Sequence, residues 1–260
     1  MKIVVSSGEN VLAFSPETPL CILEGGLVGF DGAEVQIDSK TSADGMGCVV
    51  TGKVYPLREM KIRFEIGVIT WEEDAIWRER IRRTSVPGVE CLIKVESHGI
   101  IRKIGAIPTV VRFERDTESD LTVAEIAFAA SELFFSDGEA ISGEIAVDNG
   151  DTTVVNSGEV PCGAVFSIRA DGGTVVNPSV SCGDKTVWFS GILSDGDELV
   201  IDTRWGKKAV RVNGEERLTF DLRSSFSSLA VGENAVSSHA DSGKEFMAVS
   251  YEIMPLYFGI

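Results

Sequence analysis

The chain has 260 residues, 43% of them hydrophobic and 25% charged, which is enough apolar material for a full core and excludes wholesale disorder. Its formal charge is -16, from 24 Lys and Arg against 40 Asp and Glu. Divided at Asp148, the first part carries 15 basic and 25 acidic residues and the second 9 and 15, so neither half is built to grip duplex phosphates and no sequence-specific nucleic-acid binding is expected.

Taken in chain order, most segments read as short strands separated by Gly, Asp, Asn and Ser. "EVQIDSK" alternates, with Val35 and Ile37 on one face and Glu34, Gln36 and Asp38 on the other, the period of a half-buried strand. "REMKIRFEIGVI" does the same, placing Met60, Ile62, Phe64 and Ile66 on one side. "WEEDAIWRERIRR" breaks the pattern: acids at Glu72, Glu73 and Asp74 lead, Arg80, Arg82 and Arg83 follow, and Trp77 and Ile81 lie one helical turn apart. Acids first and cations last complement the helix dipole, so this segment is the one expected helix, stopped by "VPG" at Val86 to Gly88. "VECLIKVE", "GIIRKIGAI", "TVVRFERD" and "DLTVAEIAFAAS" are further candidate strands.

Turn-rich patches "SDGEAISG" and "DNGDTT" place a domain boundary at Asp148, giving domains 1–148 and 149–260. Beyond it, strands at roughly 8–12-residue spacing suggest a sandwich. "ELVIDTR" places Leu199, Ile201 and Thr203 on one face, "WGKK" turns, and "AVRVNG" returns with Val210 and Val212 inward. Asn213-Gly214 is a hairpin turn, because both residues tolerate positive φ. "RLTFDL" then offers Leu218, Phe220 and Leu222 on one face as the third strand of a meander.

Five widely spaced cysteines (Cys21, Cys48, Cys91, Cys162, Cys182) without a CxxC pair read as reduced and mostly buried. The apolar run at the N-terminus is too short for a signal peptide, and "VAEIAFAASELFF", broken by Glu125, Ser131 and Glu132, is too short to span a bilayer. Soluble synthesis in a cytoplasm and no membrane span are expected.

Candidate chemistry is thin. His98 and His239 lack ligand-spaced partners, so neither a metal site nor a Ser-His-Asp triad has material, and no cofactor is expected. Asp202 and Asp221 read as outward strand residues rather than an acid and base pair. "DNGDTT" and "SDGDE" fit tight turns and miss the spacing of a calcium loop. Arg78, Arg80, Arg82 and Arg83, interleaved with Glu72, Glu73 and Glu79, suggest a salt-bridged helix face or a subunit contact. Trp188, in the run "TVWFSGIL", is assigned to the core. Trp205, flanked by Arg204, Lys207 and Lys208 at a turn, is the candidate for contact with a partner or a glycan, with a plain turn as the alternative.

The order of "REMKIRFEI", "WEEDAIWRERIRR", "VPGVECLIKV", "GIIRKIGAIPTVVRFERD" and "EIAFAASELFF" resembles the N-terminal half of the distal tail proteins of long-tailed bacteriophages. "NSGEVPCGAVFSIRA", then "GDELVIDTRWGKKAVRVNGEERLTFDLRSSFSSLAVGENAV" and the closing "YEIMPLYFGI", is similar to their C-terminal galectin-like domain. The resemblance implies a mainly β protein: an N-terminal sandwich or barrel-like ring domain with one α-helix, followed by a galectin-like antiparallel β-sandwich. It also implies a non-enzymatic virion protein at the distal end of the tail. Six copies would form a ring between the tail tube protein and the tail-tip (tail-associated) protein, holding a receptor-binding or baseplate protein through the second domain. Phe226, Leu229, Gly232 and Asn234, with Asn156, Gly158 and Pro161, carry the family pattern and read as turn formers and core residues. The alternative is a monomeric carbohydrate-binding sandwich acting on cell-surface glycans; a glycan hydrolase comes third.

Overall fold

In the computed structural model, residues 1–116, 121–147, 150–216 and 221–260 are described. The chain forms two compact units, the first from Met1–Asp137 with Phe258–Ile260, the second from Gly138–Tyr257. The division falls inside the "SDGEAISG" patch, between Asp137 and Gly138.

The first unit contains β1 (Lys2–Ser7), β2 (Asn10–Phe14), β3 (Leu20–Val28), β4 (Gln36–Thr41), β5 (Cys48–Val54), β6 (Glu59–Ile66), α1 (Trp71–Thr84), β7 (Cys91–Ser97), β8 (Ile100–Arg115), β9 (Thr122–Ala130) and β10 (Phe135–Ser136). Its main sheet runs β2-β1-β7-β8-β9-β6-β3, with β10 on β8. The alternation of β6 is realised in full: Met60, Ile62, Phe64 and Ile66 are all buried, opposite the inward residues of β9. Two segments expected as separate strands are one: β8 runs through Pro108, and a register shift between Pro108 and Val110 takes up the proline that cannot donate to the ladder. His98 and Gly99, both at positive φ, turn β7 into β8.

"EVQIDSK" departs from expectation. β4 and β5 form a two-stranded hairpin of their own, and Ile37, Val49, Val50 and Val54 all face solvent. The alternation is present, but among the described residues of the first unit no layer packs on either face.

The second unit contains β11 (Ile141–Ile145), β12 (Thr152–Asn156), β13 (Ala164–Ala170), β14 (Val175–Val176), β15 (Ser179–Cys182), β16 (Lys185–Trp188), β17 (Ile192–Leu193), β18 (Glu198–Asp202), β19 (Ala209–Val212), β20 (Glu215–Glu216), β21 (Gly232–His239), β22 (Met247–Ile253) and β23 (Leu256–Tyr257). A sheet in the order β11-β22-β13-β18-β19-β20 and one in the order β12-β21-β15-β16 enclose a core that includes Phe166, Ile168, Leu199, Ile201, Val180 and Val236. Together these are a mainly antiparallel β fold with one α-helix among the described residues.

The "ELVIDTR" meander forms as read, with Leu199, Ile201 and Thr203 buried and Asn213 and Gly214 at positive φ. Of the expected third strand, Leu218 and Phe220 lie outside the described residues, β20 is Glu215–Glu216 just before it, and Leu222 lies in a turn at 99% exposure rather than inward. Asn156 is buried and organises the sandwich: its amide nitrogen donates to Val160 O and Leu229 O while its oxygen accepts from Gly158 N. Gly158 is required there, since a Cβ would sit 2.6 Å from Leu256 O.

Candidate functional site

α1 is capped by Thr70, whose hydroxyl accepts from Glu73 N, and by Ser85. Its arginines are engaged within the subunit. Arg78 donates to Thr122 Oγ1 at 2.7 Å, pairs with Asp74 at 2.7 Å and lies over the Phe113 ring. Arg82 lies over the same ring, with its Cζ 5.0 Å from the centroid. Arg80 stacks on Trp77 and donates through Nε and Nη2 to Val11 O on the sheet's edge strand β2. Arg83 pairs with Glu79. Beside these charges the region also bares apolar side chains: Ile69, Trp71 and Ile76 are 100%, 76% and 65% exposed.

A polar cleft of about 220 Å³ lies on the outward face of the main sheet, lined by Arg63, Arg112, Glu114, Val123, Ala124 and Glu125. Register sets Arg63, Glu125 and Arg112 in one row across β6, β9 and β8, and Lys61 reaches Glu125 at 3.3 Å. Glu125 thus stands among Arg63, Arg112 and Lys61, and the row is a charge ladder. Among the described residues, no group of three His, Cys, Asp or Glu side chains is placed to hold a metal ion.

In the second unit two Asp-x-Arg steps fold alike. Asp202 accepts from the backbone N, Nε and Nη2 of Arg204, and Asp221 does the same with Arg223. Asp202 is therefore not an outward strand residue but 2% exposed. Burial works to raise its pKa, yet the Arg204 hydrogen bonds outweigh burial and hold it below the ordinary carboxylate value. Asp221 is pulled down to about 2, first by its side-chain hydrogen bonds from Arg223. Neither is poised as a general acid. Asp197 is likewise spent on a turn, accepting from Ser194 N and Asn213.

The tip at Arg204, Trp205, Lys207 and Lys208 is a turn through Gly206 at positive φ, with Trp205 44% exposed and Lys208 over the Phe226 ring. Trp188 contradicts its assignment to the core. Val187 and Phe189 point inward, so strand alternation puts Trp188 on the outward face of the four-stranded sheet, half-buried, with the Arg223 guanidinium over its ring at 5.4 Å. The signal was available in the sequence: in "TVWFSG" only every second residue of a run can face one core.

Residues 157–253 match the family model described as siphovirus-type tail component, C-terminal domain. The crystal structure of the Dit protein of phage SPP1, described as a paradigm of the hub adsorption apparatus in phages infecting Gram-positive hosts, is similar over 98% of this chain and 99% of its own, with a TM-score of 0.75 at 12% identity. A chain of the phage P2 baseplate in its activated conformation with Ca matches over 98% of this chain and 97% of its own, with a TM-score of 0.43 at 7% identity. No curated protein sequence matches.

Proposed function

We propose that this chain is the structural hub of a phage tail tip, because residues 157–253 match the model of the siphovirus-type tail component C-terminal domain and the chain is similar in fold to the Dit protein of phage SPP1 over nearly its whole length. In this reading six copies form a ring through the first unit, between the tail tube protein and the tail-tip protein. The second unit, a galectin-like sandwich, holds a receptor-binding or baseplate protein. The protein acts in the virion at the distal end of the tail and catalyses nothing.

The observation that carries this reading is the uncovered apolar surface of the first unit. A two-stranded hairpin is marginal in water by itself, yet β4 and β5 expose Ile37, Val49, Val50 and Val54 on both faces. Ile69, Trp71 and Ile76 stand equally bare beside α1. A ring in which each subunit meets the next head to tail covers two such different surfaces with each other and closes without leaving edges. Within that contact Ile69, Trp71 and Ile76 supply apolar area and Arg82 and Arg83 its charged rim, while Arg78 and Arg80 hold the helix to its own sheet. The tip at Arg204, Trp205, Lys207 and Lys208 supplies an aromatic and two lysines to an acidic partner, with Arg204 held on Asp202 beneath them. An overall charge of -16 suits a conduit wall that repels passing DNA.

Native mass spectrometry and negative-stain images, alone and with the adjoining tube and tail-tip proteins, test the assignment. Six-fold rings with a hollow axis are expected. A chain that stays monomeric in the presence of both neighbours overturns it.

A further inference from the structure

Two adjoining rows on the outward face of strands β21, β15 and β16 in the second unit have a composition that solvent exposure alone does not explain. Register aligns Trp188, Ser179 and His239 in one row across β16, β15 and β21, and Thr186, Ser181 and Ser237 in the next. Neither row contains Lys, Arg, Asp or Glu, in a chain where 25% of residues are charged. Below the rows, Val180, Val187, Cys182 and Val236 face the core, so the backbone that presents these groups is fixed by packing. The rows offer three half-buried hydroxyls, on Ser181, Thr186 and Ser237, with an imidazole and an indole, while Ser179 is buried and donates to His239 O.

At the edge of this face stands a pre-positioned cation. The segment carrying Arg223 runs along β16, with Asp221 N donating to Trp188 O and Ser225 N to Thr186 O. Asp221 takes Nε and Nη2 of Arg223 and leaves Nη1 directed elsewhere, while the guanidinium lies over the indole. Holding the side chain in place beforehand removes most of the entropy cost of using it in binding. Ser181 Oγ and Thr186 Oγ1 lie 2.8 Å apart, each with capacity left for another bond.

We propose that this face binds a glycan. The chemistry fits a polyhydroxylated chain: C–H edges of a sugar against the indole, ring hydroxyls bridged by the Ser181, Thr186 and Ser237 hydroxyls and Arg223 Nη1. Nucleic acid is disfavoured by the chain's charge, and a protein partner by the lack of any large apolar anchor in the two rows besides Trp188. The site stands on the second unit alone and is independent of ring assembly.

The test is an array of oligosaccharides built from glucose, galactose, N-acetylglucosamine and rhamnose, probed with the full-length protein, followed by calorimetric titration of the best-bound member. Trp188→Ala and Arg223→Ala are expected to weaken binding by about tenfold or more each. Arg223→Ala also frees Asp221, so Ser237→Tyr, which adds bulk only on the outward face, is the second probe and should abolish binding with the circular dichroism spectrum unchanged. Ile192→Ser, at an exposed position of β17, should leave the titration as in the parent. No binding of any array member at about 1 mM overturns the proposal, as does binding that survives Ser237→Tyr. A baseplate protein that occupies this face while no glycan does also overturns it.

Discussion

Arg58 Nη1 donates to the carbonyl of Phe258 at 2.8 Å, a bond between residues 200 positions apart that places the chain's last residues in the first unit. The same guanidinium donates to Gly29 O, Phe30 O and Leu133 O and lies over the Phe135 ring, with the residue only 5% exposed. A planar fork is the one side chain that can reach four carbonyls from a buried position.

Arg58→Ala strands those carbonyls without donors and is expected to cost about 3 kcal/mol or more. Arg58→Lys should recover little, because an ammonium has neither the reach nor the fork. Hydrogen exchange followed by mass spectrometry should show faster exchange in β6 and in the peptide ending at Ile260 for both variants. Parent-like protection in Arg58→Lys would remove the argument from fork geometry.

Asn156→Ala should destabilise the second unit by about 2–3 kcal/mol, since it removes three buried hydrogen bonds at once. Asn156→Asp keeps the shape but turns an oxygen toward Val160 O and Leu229 O, so it should be at least as damaging. Urea denaturation of both variants checks the order.

Asp221 titrates at about 2 in the folded protein against 3.8 for an ordinary Asp. A depressed folded pKa contributes stability that is present above 3.8 and is lost as pH falls from there toward 2. Carboxyl-carbon NMR titration should place Asp221 in that low range, and Arg223→Ala should return it toward the ordinary value. An unmoved titration would show that Arg223 does not set it.

Trp71→Glu with Ile76→Glu places charge on the bare face by α1 and should abolish ring assembly while leaving the thermal midpoint within a few degrees of the parent. Arg80→Glu, by contrast, should lower the midpoint, because Arg80 holds Val11 O within the subunit. Native mass spectrometry and scanning calorimetry separate the two effects.

Cys91 and Cys162 are buried, and burial pushes both thiols up to about 11; Cys182 is buried and also raised, while Cys21 and Cys48 are exposed. At about pH 8 an aromatic disulfide reagent should label two thiols quickly and the remaining three only on unfolding.

The sequence by itself determined what depends on neighbours along the chain. Period-2 alternation fixed β6 and β18, acids before cations fixed α1, and His98-Gly99 and Asn213-Gly214 fixed two hairpins, because each rests on the local geometry of a strand, a helix or a turn. Only the tertiary structure decided what depends on which surface lies opposite. Alternation in "EVQIDSK" and "TVWFSG" separates two faces but does not say whether either is covered; so Ile37 is bare, and Trp188 is on the sheet's outer side under Arg223. Asp202 looks like any surface acid until Arg204 folds back on it. Arg58 looks like any surface cation until strands and a terminus far away in sequence supply four carbonyls that have no other donor of that shape.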